Sequence, residues 1–332
     1  MPPAQVTGPA PARATGADWL EGARPRTLPA AVVPVVLGSA VAFWAWRHRA
    51  PVSTCLGSHC LRPPWMPHDP VWWRAVAALV FALAVQIGTN FANDLSDGVR
   101  GTDAARVGPT RLVASGLASV GAVRAAALGA FAVAGVAGLA LAASVGWWLL
   151  AVGAASFVAG WGYTGGPRPY GYLGLGELFV FTFFGLVATV GTVYVVVGAF
   201  PGLGLVLGAS SGLVACALLE ANNIRDIDGD AEAGKRTLAV RAGRRRAGWL
   251  YVAWVVLAGL AVVVAAAVWE PWVALALLAT PLAVAPVRTT LGSAAGRELL
   301  VVLGATGRLQ IVAGALAAIG VVVGALVGSA WR

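Results

Sequence analysis

Nine long apolar segments constrain this chain more than any other feature of its sequence. Each approaches the roughly 20 residues that an α-helix needs to cross a bilayer. The segments cover residues 28–46, 73–92, 122–143, 147–163, 178–199, 203–221, 249–268, 272–287 and 309–327. With 59% hydrophobic residues and 11% charged residues, the chain has more apolar surface than one water-soluble core can bury. We therefore predict an all-α membrane protein of nine transmembrane helices.

The connections between these segments indicate a single domain. Residues 1–18 are rich in Pro, Ala and Gly and have no hydrophobic stretch, so they are predicted to be a disordered tail rather than a cleaved signal peptide. Residues 19–332 then form one transmembrane domain, because no soluble domain or long linker interrupts them.

Basic residues predict the orientation in the membrane. Of the 23 Lys and Arg residues, 18 fall on the same side as the N-terminus; the other five are Arg47, Arg49, Arg62, Arg74 and Arg332. Positive charge accumulates on the cytoplasmic side, so we expect a multi-pass protein of the cell membrane with its N-terminus in the cytoplasm. The net charge of +9 follows mostly from this topology. Contact with anionic lipid of the bilayer or with an anionic substrate would use the same charge, and a nucleic acid partner is not needed to explain it.

The longest hydrophilic insert, residues 47–71, faces outward in this topology. It contains all three histidines and two of the three cysteines, Cys55 and Cys60. A Cys55–Cys60 disulfide or a plain loop is predicted here; a metal site is the alternative, although C-x4-C with scattered histidines matches no standard ligand spacing. Cys216 lies within a span and is interpreted as a small core residue.

Two polar runs, 90–103 and 222–235, stand at the ends of apolar segments. They hold all four asparagines, the one lysine and half of the chain's 14 acidic residues. A carboxylate at the bilayer centre costs about 2.5–3.5 kcal/mol on insertion scales, so such groups usually face a wet cavity and a ligand. The predicted orientation places both runs on the cytoplasmic side.

The first run aligns its polar side chains on one helical face. Asn90, Asp94 and Asp97 fall at positions i, i+4 and i+7, and Asn93 lies at the edge of that face. These oxygen-bearing side chains are of the kind that Mg²⁺ prefers.

The second run repeats the pattern. Asn222, Asp226 and Asp230 fall at i, i+4 and i+8, with Asn223 beside them, whereas Asp228 points roughly the opposite way and ranks lower as a ligand. Mg²⁺ is usually held by one or two carboxylates plus substrate phosphates, so the two faces together predict a site completed by a phosphate.

Basic residues accompany both runs: Arg100, Arg106, Arg111, Arg225, Lys235 and Arg236. Guanidinium groups bind phosphate oxygens bidentately and a lysine adds a point charge, which favours a metal–diphosphate site. The alternative, that these are solvated loop charges, explains the arginines but not the aligned Asn and Asp side chains.

The two runs resemble a known pair of motifs. NDLSDGVRGTD and NNIRDIDGDAEAGK are similar to the two aspartate-rich motifs of the UbiA-type intramembrane prenyltransferases. More narrowly, they resemble those of the 1,4-dihydroxy-2-naphthoate polyprenyltransferases of menaquinone synthesis, and segments 19–29, 163–177 and 307–310 are similar to that subgroup's other signatures. The first motif departs from the D-x-x-x-D spacing of many relatives, which leaves the third carboxylate as either Asp97 or Asp103.

The resemblance implies nine helices around a central cavity, capped by cytoplasmic motif loops. It implies transfer of a polyprenyl group from polyprenyl diphosphate to 1,4-dihydroxy-2-naphthoate, with loss of CO₂ and diphosphate, to give demethylmenaquinol. With the spacing, it assigns Mg²⁺ to Asn90, Asp94, Asp97, Asp226 and Asp230, and catalytic roles to Asp94, Asp97, Arg100 and Lys235. Substrate contacts are expected from Arg24, Asn93, Arg106, Arg111, Tyr163, Arg168, Tyr170, Asn222 and Asn223.

Alternatives remain at the level of the sequence. A UbiA-type enzyme for another aromatic acceptor, such as 4-hydroxybenzoate, would share the motifs, and a cation-coupled transporter would also place carboxylates in a membrane. The tyrosines are equally typical of interfacial anchors. Glu220 is interpreted either as a support for the site or as a buried, hydrogen-bonded acid.

Overall fold

The structure is a computed structural model that describes residues 14–49, 55–56, 59–60, 66–100, 111–163 and 169–328, without the side chains of residues 55, 56, 59, 60, 97, 99, 100 and 297. The prediction of an all-α membrane fold is confirmed. The exception is a hairpin of β1 (Cys55–Leu56) and β2 (His59–Cys60), whose antiparallel register pairs Cys55 with Cys60. Because both cysteine side chains lie outside the described residues, the disulfide stays a prediction.

Thirteen α-helical segments follow one another along the described chain. They are α1 (Gly16–Gly22), α2 (Pro29–Arg47), α3 (Trp72–Arg100), α4 (Val120–Val145), α5 (Leu149–Gly162), α6 (Gly176–Val180), α7 (Ala188–Val197), α8 (Gly202–Arg225), α9 (Ile227–Glu232), α10 (Leu238–Ala242), α11 (Arg244–Val268), α12 (Pro281–Leu291) and α13 (Leu299–Val327). Short 3₁₀ turns occupy Pro25–Thr27, Tyr170–Leu173, Pro271–Ala279 and Gly296–Glu298, and a π-helical segment, Phe181–Val187, joins α6 to α7.

All nine predicted segments are helical, but the structure does not confirm nine full spans. In the part of the chain that is described, seven helices are long and apolar enough to cross a membrane. Pro271–Ala279 and α12 make an eighth span if they are counted together, and they meet at an angle of 48°. The remaining segment, α5, has 14 residues and rises only about 21 Å, which is less than the ~30 Å hydrocarbon core.

Two helices form the centre of the bundle. In α2 and α8, 61% and 67% of the apolar window is buried, against 28% in α4 and 22% in α11. Val41 of α2 and Leu203 of α8 are fully buried in one apolar cluster with Val193 and Val321. The outer helices α4 and α11 therefore turn most of their apolar surface towards lipid, whereas most of the apolar surface of α2 and α8 is in contact with protein.

The π-helical segment lets two helices approach closely. A Cβ added to Gly185 would lie 2.7 Å from the Gly208 carbonyl oxygen and 2.7 Å from Gly212 Cα, so no larger residue fits there. Small residues at such crossings are the usual means by which membrane helices pack. The span Gly176–Val197 is held against α8 at this point, and α8 carries the second polar run.

The N-terminal segment is folded earlier than the sequence predicts. α1 begins at Gly16, within the predicted disordered tail 1–18, because Thr15 and Asp18 form a capping box. The Thr15 backbone N–H donates to Asp18 Oδ2 at 2.7 Å, and the Asp18 N–H donates to Thr15 Oγ1 at 3.3 Å. The Thr15 hydroxyl also donates to Asp18 Oδ2 at 2.7 Å, and this bond, together with the one from the Thr15 N–H, holds the pKa of Asp18 below its usual value. The Trp19 ring then packs edge-on against Phe91 of α3.

Candidate functional site

A cavity of about 1200 Å³ runs through the bundle from the end that carries the polar runs. Its opposite end is apolar and is formed by residues such as Leu141, Leu149 and Val195. Ten predicted site residues line the cavity: Arg24, Asn90, Asn93, Arg111, Tyr163, Tyr170, Asn222, Asn223, Asp226 and Lys235. Side chains from distant parts of the sequence therefore meet in one place.

The other predicted site residues are placed differently. Arg106 and Arg168 lie outside the described residues, as do the side chains of Asp97 and Arg100. Asp94 and Asp230 are buried, but they do not line the cavity. Their predicted roles are therefore not tested by the geometry of the cavity wall.

Asn90 connects α3 to the turn that precedes α2. Its Nδ2 donates to the Ala23 carbonyl oxygen at 2.8 Å and to Thr27 Oγ1 at 3.0 Å, while its Oδ1 accepts from Gln86 Nε2 at 3.3 Å. Arg24 lies between these anchors with φ of 55°, the one positive φ among the described non-glycine residues. The Asn90 side chain thus helps to hold an unusual backbone conformation at the point where Arg24 lines the cavity.

Asp94 folds the chain that follows the first run back onto α3. It is 1% exposed, and its Oδ2 and Oδ1 accept from the backbone N–H groups of Leu112 at 2.8 Å and Val113 at 3.3 Å. Gly98 permits this approach, since a Cβ there would lie 2.6 Å from Val113 Cγ1. The result is that Arg111 reaches the cavity wall.

The second run forms ion pairs between side chains. Arg225 donates to both carboxylate oxygens of Asp226, from Nε and Nη2, at 2.7 Å each. Lys235 Nζ donates to Asp230 Oδ1 at 3.2 Å after a turn in which Gly234 has φ of 72°. This turn brings Lys235, the one lysine of the chain, back to the cavity.

The predicted single face of the second run is only partly correct. Asn222 and Asp226 line the cavity, but Asp230 does not. Around an α-helix, a side chain eight residues further on points about 80° away from the first. In addition, α8 ends at Arg225, and its C-cap residue Asp226 has φ of −97° and ψ of 9°. Asp228 is exposed, as its predicted opposite direction requires.

Aromatic rings form the cavity wall beside the second run. Tyr163 meets Tyr170 edge-on at 5.6 Å, Tyr170 stacks on Phe179 at 3.9 Å, and Phe179 lies parallel to Phe183 at 6.1 Å. We call these four residues the aromatic wall. The Tyr170 hydroxyl donates to the Ala159 carbonyl oxygen at 2.6 Å, and burial raises its pKa above the usual value. The Tyr170 hydroxyl is therefore held by the backbone of α5.

The sequence analysis missed several residues that shape this site. Gln86 supports Asn90, Phe179 and Phe183 complete the aromatic wall, and Glu177 accepts a hydrogen bond from Asn223 Nδ2 at 2.9 Å. A signal for Glu177 was present, because it is a single acid at the start of an apolar span. Nothing in the spacing distinguishes the two phenylalanines from lipid-facing ones.

The oxygen-bearing side chains suit a hard cation only in combination with a ligand. Across the described ranges, no three His, Cys, Asp or Glu side chains gather into a ready metal site. The Asp226 carboxylate and the amides of Asn222 and Asn93 nevertheless line one end of the cavity. A few oxygen ligands of this kind are typical of Mg²⁺ whose coordination is completed by phosphate oxygens and water. The residues present fit such an ion.

Comparison with known proteins identifies the relatives of this chain. The sequence profile of the UbiA prenyltransferase family matches residues 52–298. The 1,4-dihydroxy-2-naphthoate octaprenyltransferase of Mycobacterium tuberculosis is 44% identical over 297 residues, which cover 89% of this chain and 93% of that protein. The Escherichia coli protein of the same name is 33% identical over 234 residues, covering 68% of each chain.

A solved structure shares the fold. It is described as a UbiA homolog from Archaeoglobus fulgidus bound to GPP and Mg²⁺, and it matches this structure with a TM-score of 0.54 at 16% identity. The match covers 92% of this chain and 99% of that one. The helical bundle is therefore common to both proteins.

Proposed function

Because this chain belongs to the UbiA prenyltransferase family, we propose that it joins a polyprenyl group to 1,4-dihydroxy-2-naphthoate. The C–O bond between the prenyl C1 and the diphosphate breaks, and the diphosphate leaves with the bonding electrons. The ring carbon that bears the carboxylate then attacks C1. The carboxylate leaves as CO₂ and returns its bonding electrons to the ring, so demethylmenaquinol forms without a base to remove a ring proton.

The division of the cavity into a polar and an apolar end is the observation that carries this proposal. Side chains of both polar runs line one end, and the remainder is lined by residues such as Phe81, Phe184 and Leu141. A polyprenyl diphosphate has the same division between a charged head and a long hydrocarbon tail. The names of the relatives, which share most of the chain's length, supply the acceptor.

Basic side chains at the polar end are proposed to hold the diphosphate. Lys235, Arg111 and Arg24 all line the cavity there. Fixed positive charge at the leaving group stabilises the developing negative charge in the transition state. Arg100 and Arg106 are proposed to contribute from the loop that follows the first run.

Mg²⁺ is proposed as the cofactor, in keeping with the relative solved with GPP and Mg²⁺. Asp226, Asn90, Asp94, Asp97 and Asp230 would hold it, with Asn222 and Asn93 beside them. When bound, Mg²⁺ neutralises charge on the diphosphate oxygens and so makes the diphosphate a better leaving group. Arg225, which binds both Asp226 oxygens in this structure, would then neutralise the same end of the cavity from the side.

The aromatic wall and the apolar depth of the cavity are proposed to receive the organic parts of both substrates. Loss of diphosphate leaves an allylic cation, which water would capture, so an apolar pocket protects it. Tyr163, Tyr170, Arg24 and Arg168 are proposed to position the acceptor. Tyr170 acts through its ring, because its hydroxyl is already bonded to Ala159.

The protein is a multi-pass membrane protein, and we propose that the polar end of the cavity faces the cytoplasm. The excess of Lys and Arg on that side supports this orientation. Both substrates would then reach the site from the cytoplasm or from the bilayer.

An assay of the purified protein in lipid vesicles tests this function. We expect naphthoate and a polyprenyl diphosphate to give a prenylated naphthoquinol with equal amounts of CO₂ and diphosphate, and to give none after Mg²⁺ is chelated. Prenylation of 4-hydroxybenzoate but not of naphthoate would assign another acceptor. Ion-dependent flux without diphosphate release would instead indicate a transporter.

A further inference from the structure

Glu177 is a buried acid that the proposed reaction does not use. It lies at the start of the span Gly176–Val197, is 6% exposed, and is not part of the cavity wall. Its Oε1 accepts a hydrogen bond from Asn223 Nδ2 at 2.9 Å. A buried carboxyl group in a membrane span is costly unless it is bonded, so its partner is the place to look for its role.

Asn223 lies at the boundary between the second run and the aromatic wall. It lines the cavity and is 5% exposed, and it precedes Asp226 by about one turn of α8. A Cβ at Gly176 would lie 3.2 Å from Tyr163 Cε2, so the start of the helix that carries Glu177 also touches the aromatic wall. Asn223 is thus placed where the head of one substrate and the ring of the other would meet.

The bond to Glu177 determines which atom Asn223 presents. The Asn223 NH₂ group donates to Glu177 Oε1, and a carboxyl oxygen that carries no proton can only accept. The Oδ1 atom then points away from Glu177, and no described group hydrogen bonds it. An exposed amide oxygen repels phosphate oxygens but accepts from a hydroxyl. Contact between Asn223 Oδ1 and a phosphate oxygen is therefore unfavourable without a bridging cation, whereas a hydroxyl-bearing ligand can bond this atom directly.

Glu177 is itself held in place. Cys216 Sγ donates to the Glu177 carbonyl oxygen at 3.2 Å. Glu220 lies on α8, the helix that carries Asn223, and is 0% exposed. Its carboxyl group lies beside that of Glu177. A group fixed on several sides can define the orientation of the side chain that it bonds, as is typical of residues that support a binding site from behind.

We propose that Glu177 is a positioning residue that orients Asn223, so that Asn223 Oδ1 accepts a hydrogen bond from a hydroxyl of the aromatic acceptor. The role with the acceptor rests on the proposed function. The orientation of the amide does not depend on it.

The first experiment compares Glu177→Leu with Glu177→Gln. Leucine fills a similar volume but cannot accept, so KM for naphthoate should rise about tenfold, as for one lost hydrogen bond, while KM for polyprenyl diphosphate stays unchanged. Glutamine keeps an acceptor oxygen and should restore KM. Cys216→Ala is the matched control, because it removes a neighbour of Glu177 and leaves the Glu177–Asn223 bond in place. Equal damage by glutamine and leucine would contradict an acceptor role.

The second experiment reverses the hydrogen bond. Asn223→Asp places a carboxylate against Glu177, so this single variant should have a lower unfolding temperature and a higher KM for naphthoate than the wild type. In the double variant Glu177→Gln with Asn223→Asp, the glutamine NH₂ can donate to the aspartate. We expect the double variant to recover both thermal stability and naphthoate KM relative to Asn223→Asp. Additive effects of the two changes would overturn the proposal.

The two readouts separate failure of this inference from failure of the proposed function. Thermal stability reports the Glu177–Asn223 bond without turnover, so it decides the orientation even if the wild type does not prenylate naphthoate. If the wild type is active and the two changes are coupled in thermal stability, but KM for naphthoate is the same in the variants, the acceptor would be removed from the proposal.

Discussion

The two polar runs use the same residue types in different ways. In the first, Asn90 and Asp94 are bonded to the backbone of neighbouring segments, at Ala23, Leu112 and Val113. In the second, Asp226 and Asp230 are paired with the side chains of Arg225 and Lys235. Bonds to backbone are part of the fold, whereas ion pairs between side chains at a cavity can be exchanged for a charged ligand. The first run therefore assembles the polar end of the cavity, and the second supplies its most adaptable charges.

This difference predicts the largest effect for Asp226→Ala. We expect a loss of activity of about 10³-fold, because the change removes a carboxylate at the charged centre of the site. The unfolding temperature should also fall, because the Arg225 side chain, which is 4% exposed, loses its carboxylate partner. Steady-state kinetics and thermal unfolding of the same preparation measure both. Asp228→Ala is the matched control, since Asp228 is exposed, and it should behave as wild type. A loss of activity that the lost stability alone explains would make the two runs alike.

Asp94→Asn should reduce both activity and stability. An asparagine presents one NH₂ group to backbone N–H donors, so one of the buried bonds to Leu112 or Val113 is lost at a cost of about 1–3 kcal/mol. We expect a lower unfolding temperature and easier proteolysis near residue 112. Unchanged stability with lost activity would show that Asp94 serves the ligand alone and not the fold.

Lys235→Gln should have a smaller and more selective effect. The Lys235 charge lies at the cavity and is paired with Asp230, so its loss should raise KM for polyprenyl diphosphate about tenfold and leave KM for naphthoate unchanged. Lys235→Arg retains the charge and should recover most of the loss. An equal rise in both KM values would mean that the lysine maintains the shape of the cavity.

The smallest effect should come from Thr15→Ala, at the N-terminal cap of α1, the helix that packs against the first run through Trp19 and Phe91. The change removes the cap of α1, and amide exchange of residues 16–22 should become about fivefold faster with activity nearly unchanged. The folded pKa of Asp18 lies below the ordinary value of an aspartate, so its contribution is present above that ordinary pKa and is lost as the pH falls through the folded pKa. Wild type and variant should therefore converge at acidic pH. Persistent separation there would assign the cap to Thr15 alone.

The sequence was sufficient to predict the helices and the meeting of the two runs. Apolar length identified the seven helices of the described chain that are long enough to cross a membrane, and helical spacing predicted a common face for Asn222 and Asp226, which both line the cavity. The spacing did not predict that Asp230 pairs with Lys235, because α8 ends at Arg225 and the turn at Gly234 brings the lysine back to Asp230.

Contacts between distant segments were beyond the reach of the sequence. The bonds from Asp94 to Leu112 and Val113 join residues about 18 positions apart, and no periodic pattern encodes them. The shortness of α5 was equally hidden, since the apolar residues Trp147 and Trp148 extend the predicted segment before the helix begins at Leu149. The break before α12 did have a signal in Pro281, which disfavours helix in the residue before it.

The number of residues in the π-helical segment Phe181–Val187 affects the shape of the cavity. A π-helical turn accommodates an additional residue compared with an α-helical turn, and one residue corresponds to about 100° of rotation. Deleting a single residue there would turn α7 by that angle relative to Glu177 while leaving every remaining side chain chemically intact. The helical faces on either side of this segment are therefore aligned by the number of residues between them, which no point substitution changes.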